Sequence, residues 1–191
     1  MLDIVQIRGK ALPTADFETL AERWTEVASA FAATMIVVND RVDVALAVGA
    51  DGVHVGQSDL APADIRRQAP PGFVIGVSSH DAGELARAAA SGADYAGLGT
   101  FYASRTKPEA VLLDRERPSL REGVRVAAIP VLAIGGIIAG RVGEVFATLP
   151  VSGVAVSHAI QGAPDPGAAI LDLRSELDRA WTERQASERV G

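Results

Sequence analysis

The chain contains no cysteine, which excludes disulfides, thiolate catalysis and every cysteine-bound metal site, leaving room only for an oxygen-bound metal. The same absence is compatible with a reducing cytoplasm. Lysine is almost as scarce: of eighteen cationic side chains only Lys10 and Lys107 are lysines, and the rest are arginines. Acidic residues outnumber basic ones, giving a net charge of −6, so there is no electrostatic case for a nucleic-acid partner and any anionic ligand must be met by local cations. No apolar run approaches the roughly 18 residues of a membrane span, and Met1-Leu2-Asp3-Ile4-Val5-Gln6 lacks the basic and apolar regions of a signal peptide. The expectation is a cytoplasmic protein without a membrane partner. Nucleotide-binding signatures are missing too: there is no Walker A motif, and Gly97-Leu98-Gly99 lacks the third glycine of a dinucleotide fingerprint. Nor is there a Gly-x-Ser-x-Gly elbow, so serine-hydrolase chemistry has no support.

What is present is a regular alternation. The 191 residues suit one domain, placed at 1–184, with 185–191 as a polar C-terminal tail. Short Val- and Ile-rich runs predict strands at 4–8, 35–39, 52–56, 74–78, 95–99, 131–135 and 153–157. Ala- and Leu-rich segments at helical spacing predict helices at 14–33, 41–48, 62–68, 81–91, 119–127, 140–147 and 166–184. Thr14, following Pro13, is the expected N-cap of the first of these. Strand-helix alternation argues for parallel strands joined by crossover helices, an α/β chain. Seven such units are one short of a (β/α)8 TIM barrel. The only long polar connection, Arg105 to Pro118, is a candidate lid. Trp24 and Trp181, both on predicted helices, are expected to be packing residues.

In barrels and open parallel sheets alike, ligands bind at the carboxyl ends of the strands. Those ends carry Gln6, Arg8 and Lys10 after the first strand, Asn39 and Asp40 after the second, and Asp59 after the third. Ser78 and His80 follow the fourth, Ser104, Thr106 and Lys107 the fifth, Gly135 and Gly136 the sixth, and Ser157 and His158 the seventh. Cations, two carboxylates, hydroxyls and a Gly-Gly turn suit a polyanion with a hard metal ion. Asp40 and Asp59 supply two carboxylates to Mg²⁺, which keeps several waters and shares its other positions with substrate phosphates. Equally, Asn39-Asp40-Arg41 reads as a helix N-cap, and Ser58-Asp59 as the cap of the helix starting at Pro62. Gly135-Gly136 is either a backbone nest for phosphate or a tight turn. His54, inside a strand, reads as a core or barrel-interior histidine before it reads as a catalytic one. His80, at a strand end, reads either as an acid or base near neutral pH or as a capping residue.

Taken together these motifs resemble the thiamine-phosphate synthase / thiazole tautomerase family. The resemblance rests on Gln6-Ile7-Arg8-Gly9-Lys10, Asn39-Asp40-Arg41, Ala50 through Asp59, Gly76-Val77-Ser78, Ala103 through Lys107 and Ile134-Gly135-Gly136-Ile137, in order. It implies a (β/α)8 barrel transferase that joins hydroxymethylpyrimidine diphosphate to thiazole phosphate with Mg²⁺ as cofactor. On that resemblance Arg8, Lys10, Asn39 and Lys107 hold the diphosphate, Asp40 and Asp59 bind Mg²⁺, and Gln6 and Ser78 face the pyrimidine. Ser104 and Thr106 contact the thiazole substrate or the diphosphate, and Gly136 with Ser157 and His158 cradles the thiazole phosphate. Lys107, Ser78 and Lys10 are the residues expected to carry the reaction. The alternatives are a tautomerase that uses His80 and a non-catalytic phosphate-ligand binding remnant. A second copy of the chain is a candidate partner. The family places a strand and a helix before the Gln-x-Arg-x-Lys run, and only five residues precede Gln6 here. The expectation is therefore an incomplete barrel with exposed edges and lowered stability. Gly9 stands where the family has Glu, Ala103 where it has Pro, and His158 where it has a phosphate-binding Ser.

Overall fold

The structure, a computed structural model, describes residues 2–31, 33–103 and 110–189. Strands and helices alternate: β1 (Ile4–Ile7), α1 (Thr14–Ala28), β2 (Met35–Asn39), α2 (Val42–Ala47), β3 (Gly52–Val55), α3 (Pro62–Arg66), β4 (Val74–Ser79) and α4 (Ala82–Ala90). They continue with β5 (Tyr95–Gly99), α5 (Pro118–Arg125), β6 (Val131–Ile134), α6 (Val142–Thr148), β7 (Gly153–Ala155), α7 (His158–Gln161) and α8 (Pro166–Glu188). This is the α/β repeat of the (β/α)8 barrels with seven units among the described residues, as the sequence pattern implies. The chain resolves into two compact units, Met1–Ser78 with Ala88–Tyr95 and Ser79–Arg87 with Ala96–Gly191.

In the first unit β1, β2, β3 and β4 run parallel and pair in chain order, with Gln6 opposite Val37, Asn39 opposite His54, and His54 opposite Gly76. β3 is buried at all four positions, which is why it reads as a continuous rather than an alternating apolar run. Val37, Val38, Val53 and Ile75 are sealed from solvent, and α1 closes one face with Phe17 and Ala21. In the second unit β5, β6 and β7 are parallel and again in chain order. Leu98, Ala133, Val142, Val145 and Leu149 form its core, to which α8 adds Leu173 and Ala180.

A repeated device starts the strands. The Asp51 carboxylate accepts the Ile36 N–H at 2.7 Å, and the Asp94 carboxylate accepts the Ile75 N–H at 2.7 Å. Both aspartates end a Gly-Ala-Asp triplet, Gly49-Ala50-Asp51 and Gly92-Ala93-Asp94. In the second unit Ser152 does the same for the Val131 N–H, at 3.3 Å. Arg66 braces Asp94 at 2.6 Å and also donates to the carbonyls of Phe73 and Gly92.

Several boundaries differ from the sequence pattern. α1 stops at Ala28, five residues short of the predicted end, because Thr34 and Met35 are drawn into pairing with Leu2 and Asp3. Its N-cap is Pro13, without a side-chain cap bond, while the Thr14 hydroxyl accepts from Arg41 at 3.2 Å. α8 continues to Glu188, beyond the predicted end at 184. Arg184 donates to the Val151 carbonyl at 2.5 Å and lies over the Trp181 ring, anchoring the turn from which the helix propagates. α7 has no counterpart in the predicted elements. Trp181 packs edge-on against Phe146 yet stays 39% exposed, and Trp24 is 43% exposed, so neither is the buried packing residue that the sequence suggests.

Candidate active site

The strand ends of the first unit hold their polar groups through side-chain pairing. Lys10, in the loop after β1, sits 2.9 Å from the Asp40 carboxylate. Asp40 has φ +62°, in the left-handed region that Asp tolerates better than most residues. Its N–H donates to the His54 carbonyl at 2.8 Å, so the turn leaving β2 is fastened to β3. Lys10, Asn39, Asp40 and Arg41 line a groove of about 230 Å³ together with Leu12 and Phe17. The Lys10 side chain is 55% exposed, so its ion pair adds little to stability.

Neither aspartate caps a helix. The N-cap of α2 is Arg41 and that of α3 is Ala61, and neither has a side-chain cap bond. Asp59 instead turns back to accept the Gly56 N–H at 2.7 Å, closing the loop after β3. Arg41 pairs with Asp43 at 2.5 Å, and that hydrogen bond holds the Asp43 carboxyl below its usual range. Among the described residues no cluster of three or more His, Asp or Glu forms a metal cage. A magnesium ion that keeps its waters and binds substrate phosphate needs only one or two carboxylates. Asp40 and Asp59 follow the adjacent strands β2 and β3, where the Asp40 carboxylate is engaged by Lys10 and the Asp59 carboxylate by the Gly56 N–H.

Ser78, near the end of β4, meets a group that the sequence reading takes for core before catalysis. His54 is 7% exposed, with Nδ1 3.0 Å from the Tyr95 hydroxyl and Nε2 3.0 Å from the Ser78 hydroxyl. Burial pushes the Tyr95 hydroxyl well above the ordinary tyrosine range, with a smaller opposing influence from Gln6. Gln57 donates to the Ser78 carbonyl at 2.7 Å, fixing the strand end. Arg8 is exposed.

In the second unit the site groups belong to the backbone. Gly135 and Gly136, after β6, have φ +106° and +61°. A Cβ on Gly136 would stand 2.5 Å from the Ala103 carbonyl oxygen. Two consecutive positive-φ residues make a tight turn that only glycine enters without strain. The turn is braced by residues that the sequence reading passes over. Arg141 donates to the Gly136 carbonyl at 2.9 Å and lies 4.4 Å from the Tyr102 ring centroid, while Tyr102 donates its N–H to Gly135. Ser157 and His158 are exposed at the start of α7, with the Ser157 hydroxyl 3.4 Å from Gln161. His80 is exposed and bonded to Glu84 at 2.9 Å. Ser104, Thr106 and Lys107 lie outside the described residues, as does most of the first half of the candidate lid.

In the first unit a groove at the ends of β1 and β2 is lined by a lysine, an arginine and an aspartate; in the second, a Gly-Gly turn follows β6. The family model described as thiamine monophosphate synthase matches residues 1–160. The chain belongs to the thiamine monophosphate synthase family. It is therefore a member of a family of transferases that condense two substrates. It is 40% identical over 181 residues to the thiamine-phosphate synthase of Methanoculleus marisnigri, spanning 95% of this chain and 84% of that one. It is 45% identical over 184 residues to the thiamine biosynthesis bifunctional protein ThiM/ThiE of Symbiobacterium thermophilum, covering 96% of this chain but only 38% of that longer protein. Among solved structures, thiamine phosphate pyrophosphorylase from Pyrococcus furiosus matches with a TM-score of 0.83 at 34% identity, over 93% of this chain and 84% of that one. Among the described residues no helix is long and apolar enough to cross a membrane.

Proposed function

We propose that the chain catalyses the Mg²⁺-dependent condensation of hydroxymethylpyrimidine diphosphate with thiazole phosphate, giving thiamine monophosphate and diphosphate in the cytoplasm. The observation that carries this reading is the Lys10–Asp40 pair in the groove beside Asn39. A cation for phosphate and a carboxylate for metal stand together there, on a turn held in an uncommon backbone conformation. Arg8, Lys10 and Asn39, with Lys107, hold the diphosphate. Asp40 and Asp59 hold Mg²⁺, which when bound supplies positive charge against the leaving diphosphate. Gln6 and Ser78 take the pyrimidine, and Gly136, Ser157 and His158 take the thiazole phosphate, with Ser104 and Thr106 beside it.

The chemistry asked of these residues is mostly electrostatic. The bond between the pyrimidine methylene carbon and the diphosphate oxygen breaks with its electron pair going to oxygen. The thiazole nitrogen lone pair then forms the new C–N bond. No group on the protein needs to bond to substrate, so the gain comes from stabilising the leaving group and holding the acceptor in line.

The test is diphosphate release from purified protein given both substrates, with and without Mg²⁺. Release that needs both substrates and Mg²⁺ supports the reading, and none from folded protein overturns it. Asp40→Asn should raise the Mg²⁺ concentration needed for half-maximal rate by roughly tenfold or more, as expected for losing one charged ligand. An unchanged Mg²⁺ titration would remove Asp40 from the metal site.

A further inference from the structure

We infer that Arg41 is a positioning residue that braces the two walls of the groove, tying the loop that carries Lys10 to the turn that carries Asp40. The inference rests on the reading above in which Lys10 takes the diphosphate and Asp40 the metal. It gives a role to Arg41, the member of Asn39-Asp40-Arg41 to which that reading assigns no ligand.

The guanidinium is committed on all three of its nitrogens. Nε and Nη2 donate to the two carboxylate oxygens of Asp43 at 2.8 and 2.5 Å, and Nη1 donates to the Thr14 hydroxyl at 3.2 Å. Arginine carries no acceptor, so the direction of each bond is fixed. Asp43 stands in the first turn of α2 and Thr14 opens α1. The fork therefore seats the guanidinium on its own element, and the remaining arm reaches the other wall, 27 positions away in sequence. Only a planar fork can make both attachments at once, which a lysine ammonium would not. The groove is thus crossed by Lys10 to Asp40 and by Arg41 to Thr14. The proposed reaction gives both partners of the first link to ligands and neither partner of the second, which leaves Arg41 to hold the spacing.

Each wall passes the brace on to its functional group. Asp40 has φ +62°, and across it the Arg41 N–H donates to the Asn39 carbonyl at 2.8 Å. That is a three-residue γ-turn with a positive central φ, the rare and strained form. Such a turn persists only where its surroundings fix it. Arg41 is one limb of the turn and its carbonyl accepts the Ala45 N–H at 3.0 Å, so anchoring Arg41 anchors Asp40. On the opposite wall the chain from Gly9 to Phe17 is one packed piece. Leu12 N–H donates to the Gly9 carbonyl and Phe17 N–H to the Pro13 carbonyl, both at 3.0 Å. A Cβ on Gly9 would stand 2.7 Å from Cδ2 of the buried Phe17 ring. Holding Thr14 therefore holds Lys10. The competing reading is that Arg41, which lines the groove, is itself a phosphate ligand.

Thr14→Val removes the acceptor, keeps the branched shape and touches neither ligand group. Calorimetric titration of the whole chain with inorganic pyrophosphate in excess Mg²⁺ should show a dissociation constant raised by roughly 3- to 10-fold, the worth of one charge-assisted hydrogen bond. The melting temperature should stay within about 2 °C, because the bond lies at the surface. Thr14→Ser, which keeps the hydroxyl, should bind as the wild type does. Arg41→Lys keeps the charge and loses the fork. It should weaken binding at least as much as Thr14→Val, and adding Thr14→Val to it should change nothing more, because both open the same link. Unchanged pyrophosphate affinity in Thr14→Val overturns the brace, and additive losses in the double variant overturn it in favour of a direct phosphate ligand. Hydrogen exchange reads the brace without ligand or turnover: the amides of Leu12, Asp40 and Arg41 should exchange roughly threefold or more faster in Thr14→Val. Unchanged exchange overturns the brace. Faster exchange in a protein whose wild type binds no magnesium pyrophosphate would count against the proposed reaction and leave the brace standing.

Discussion

The two units present their strand ends by opposite means. In the first, side chains do the work: Lys10 against Asp40, Asp59 against the Gly56 amide, and His54 between Ser78 and Tyr95. In the second, the candidate groups belong to the backbone turn at Gly135 and Gly136, whose carbonyls are held by Tyr102 and Arg141. The difference separates function from folding unequally. A side chain on a loop can be removed while the loop persists. A turn made of backbone cannot be altered without altering the chain path itself.

Gly136→Ala should break the contrast most severely. The added methyl meets the Ala103 carbonyl oxygen at 2.5 Å, and φ +61° penalises any side chain. We expect a loss of about 2–4 kcal/mol in unfolding free energy from clash and strain, together with at least a hundredfold fall in kcat/KM. Urea unfolding and diphosphate release should therefore fail together. Lys10→Ala should separate them. Its ammonium is more than half exposed, so stability should change by less than about 1 kcal/mol. Loss of one charge-assisted phosphate contact should lower kcat/KM by roughly 10- to 100-fold. If Lys10→Ala unfolded the protein in proportion to its loss of activity, the distinction between the two units would be wrong.

Local pattern made the architecture legible and left most partnerships unseen. β2 and β5 fall on their predicted bounds, β2 because a Val- and Ile-rich run announces itself within a few positions and β5 because Tyr-Ala-Gly-Leu-Gly is a short mostly apolar run between polar turns. α1 was over-extended because nothing local in Ser29 to Thr34 shows that Thr34 will hydrogen-bond to Leu2, 32 positions away. His54 carries the same lesson. Its place inside an apolar strand reads as core, while its partners Ser78 and Tyr95 are 24 and 41 positions off and meet it only once β3 and β4 pair. Lys10, Asp40 and Asp59 were legible as candidates because strand ends in α/β chains are where ligands bind. That Asp59 closes its own loop rather than capping α3 depended on the turn geometry at Gly56. The two Gly-Ala-Asp triplets stood in plain view. Their role was hidden because each carboxylate serves the strand before it, across a helix from its own position.

Those strand-start bonds allow the finest comparison of the two units. Asp94 offers Ile75 a charged acceptor at 2.7 Å and is itself held by Arg66 at 2.6 Å. Ser152 offers Val131 a neutral hydroxyl at 3.3 Å, close to the limit of a useful bond. Ile75 and Val131 are both buried, so losing the acceptor strands an amide that has little access to water. Hydrogen bonds to charged groups are worth about twice those between neutral ones. Asp94→Ala should therefore cost about 1–3 kcal/mol and Ser152→Ala no more than about 1 kcal/mol. For a chain of this size that corresponds to melting-temperature losses of roughly 3–10 °C and under about 4 °C. Thermal unfolding of the two variants side by side decides the matter. Equal losses would mean that the cost lies in the stranded amide alone, and that the carboxylate in the first unit gives the strand start nothing a hydroxyl does not.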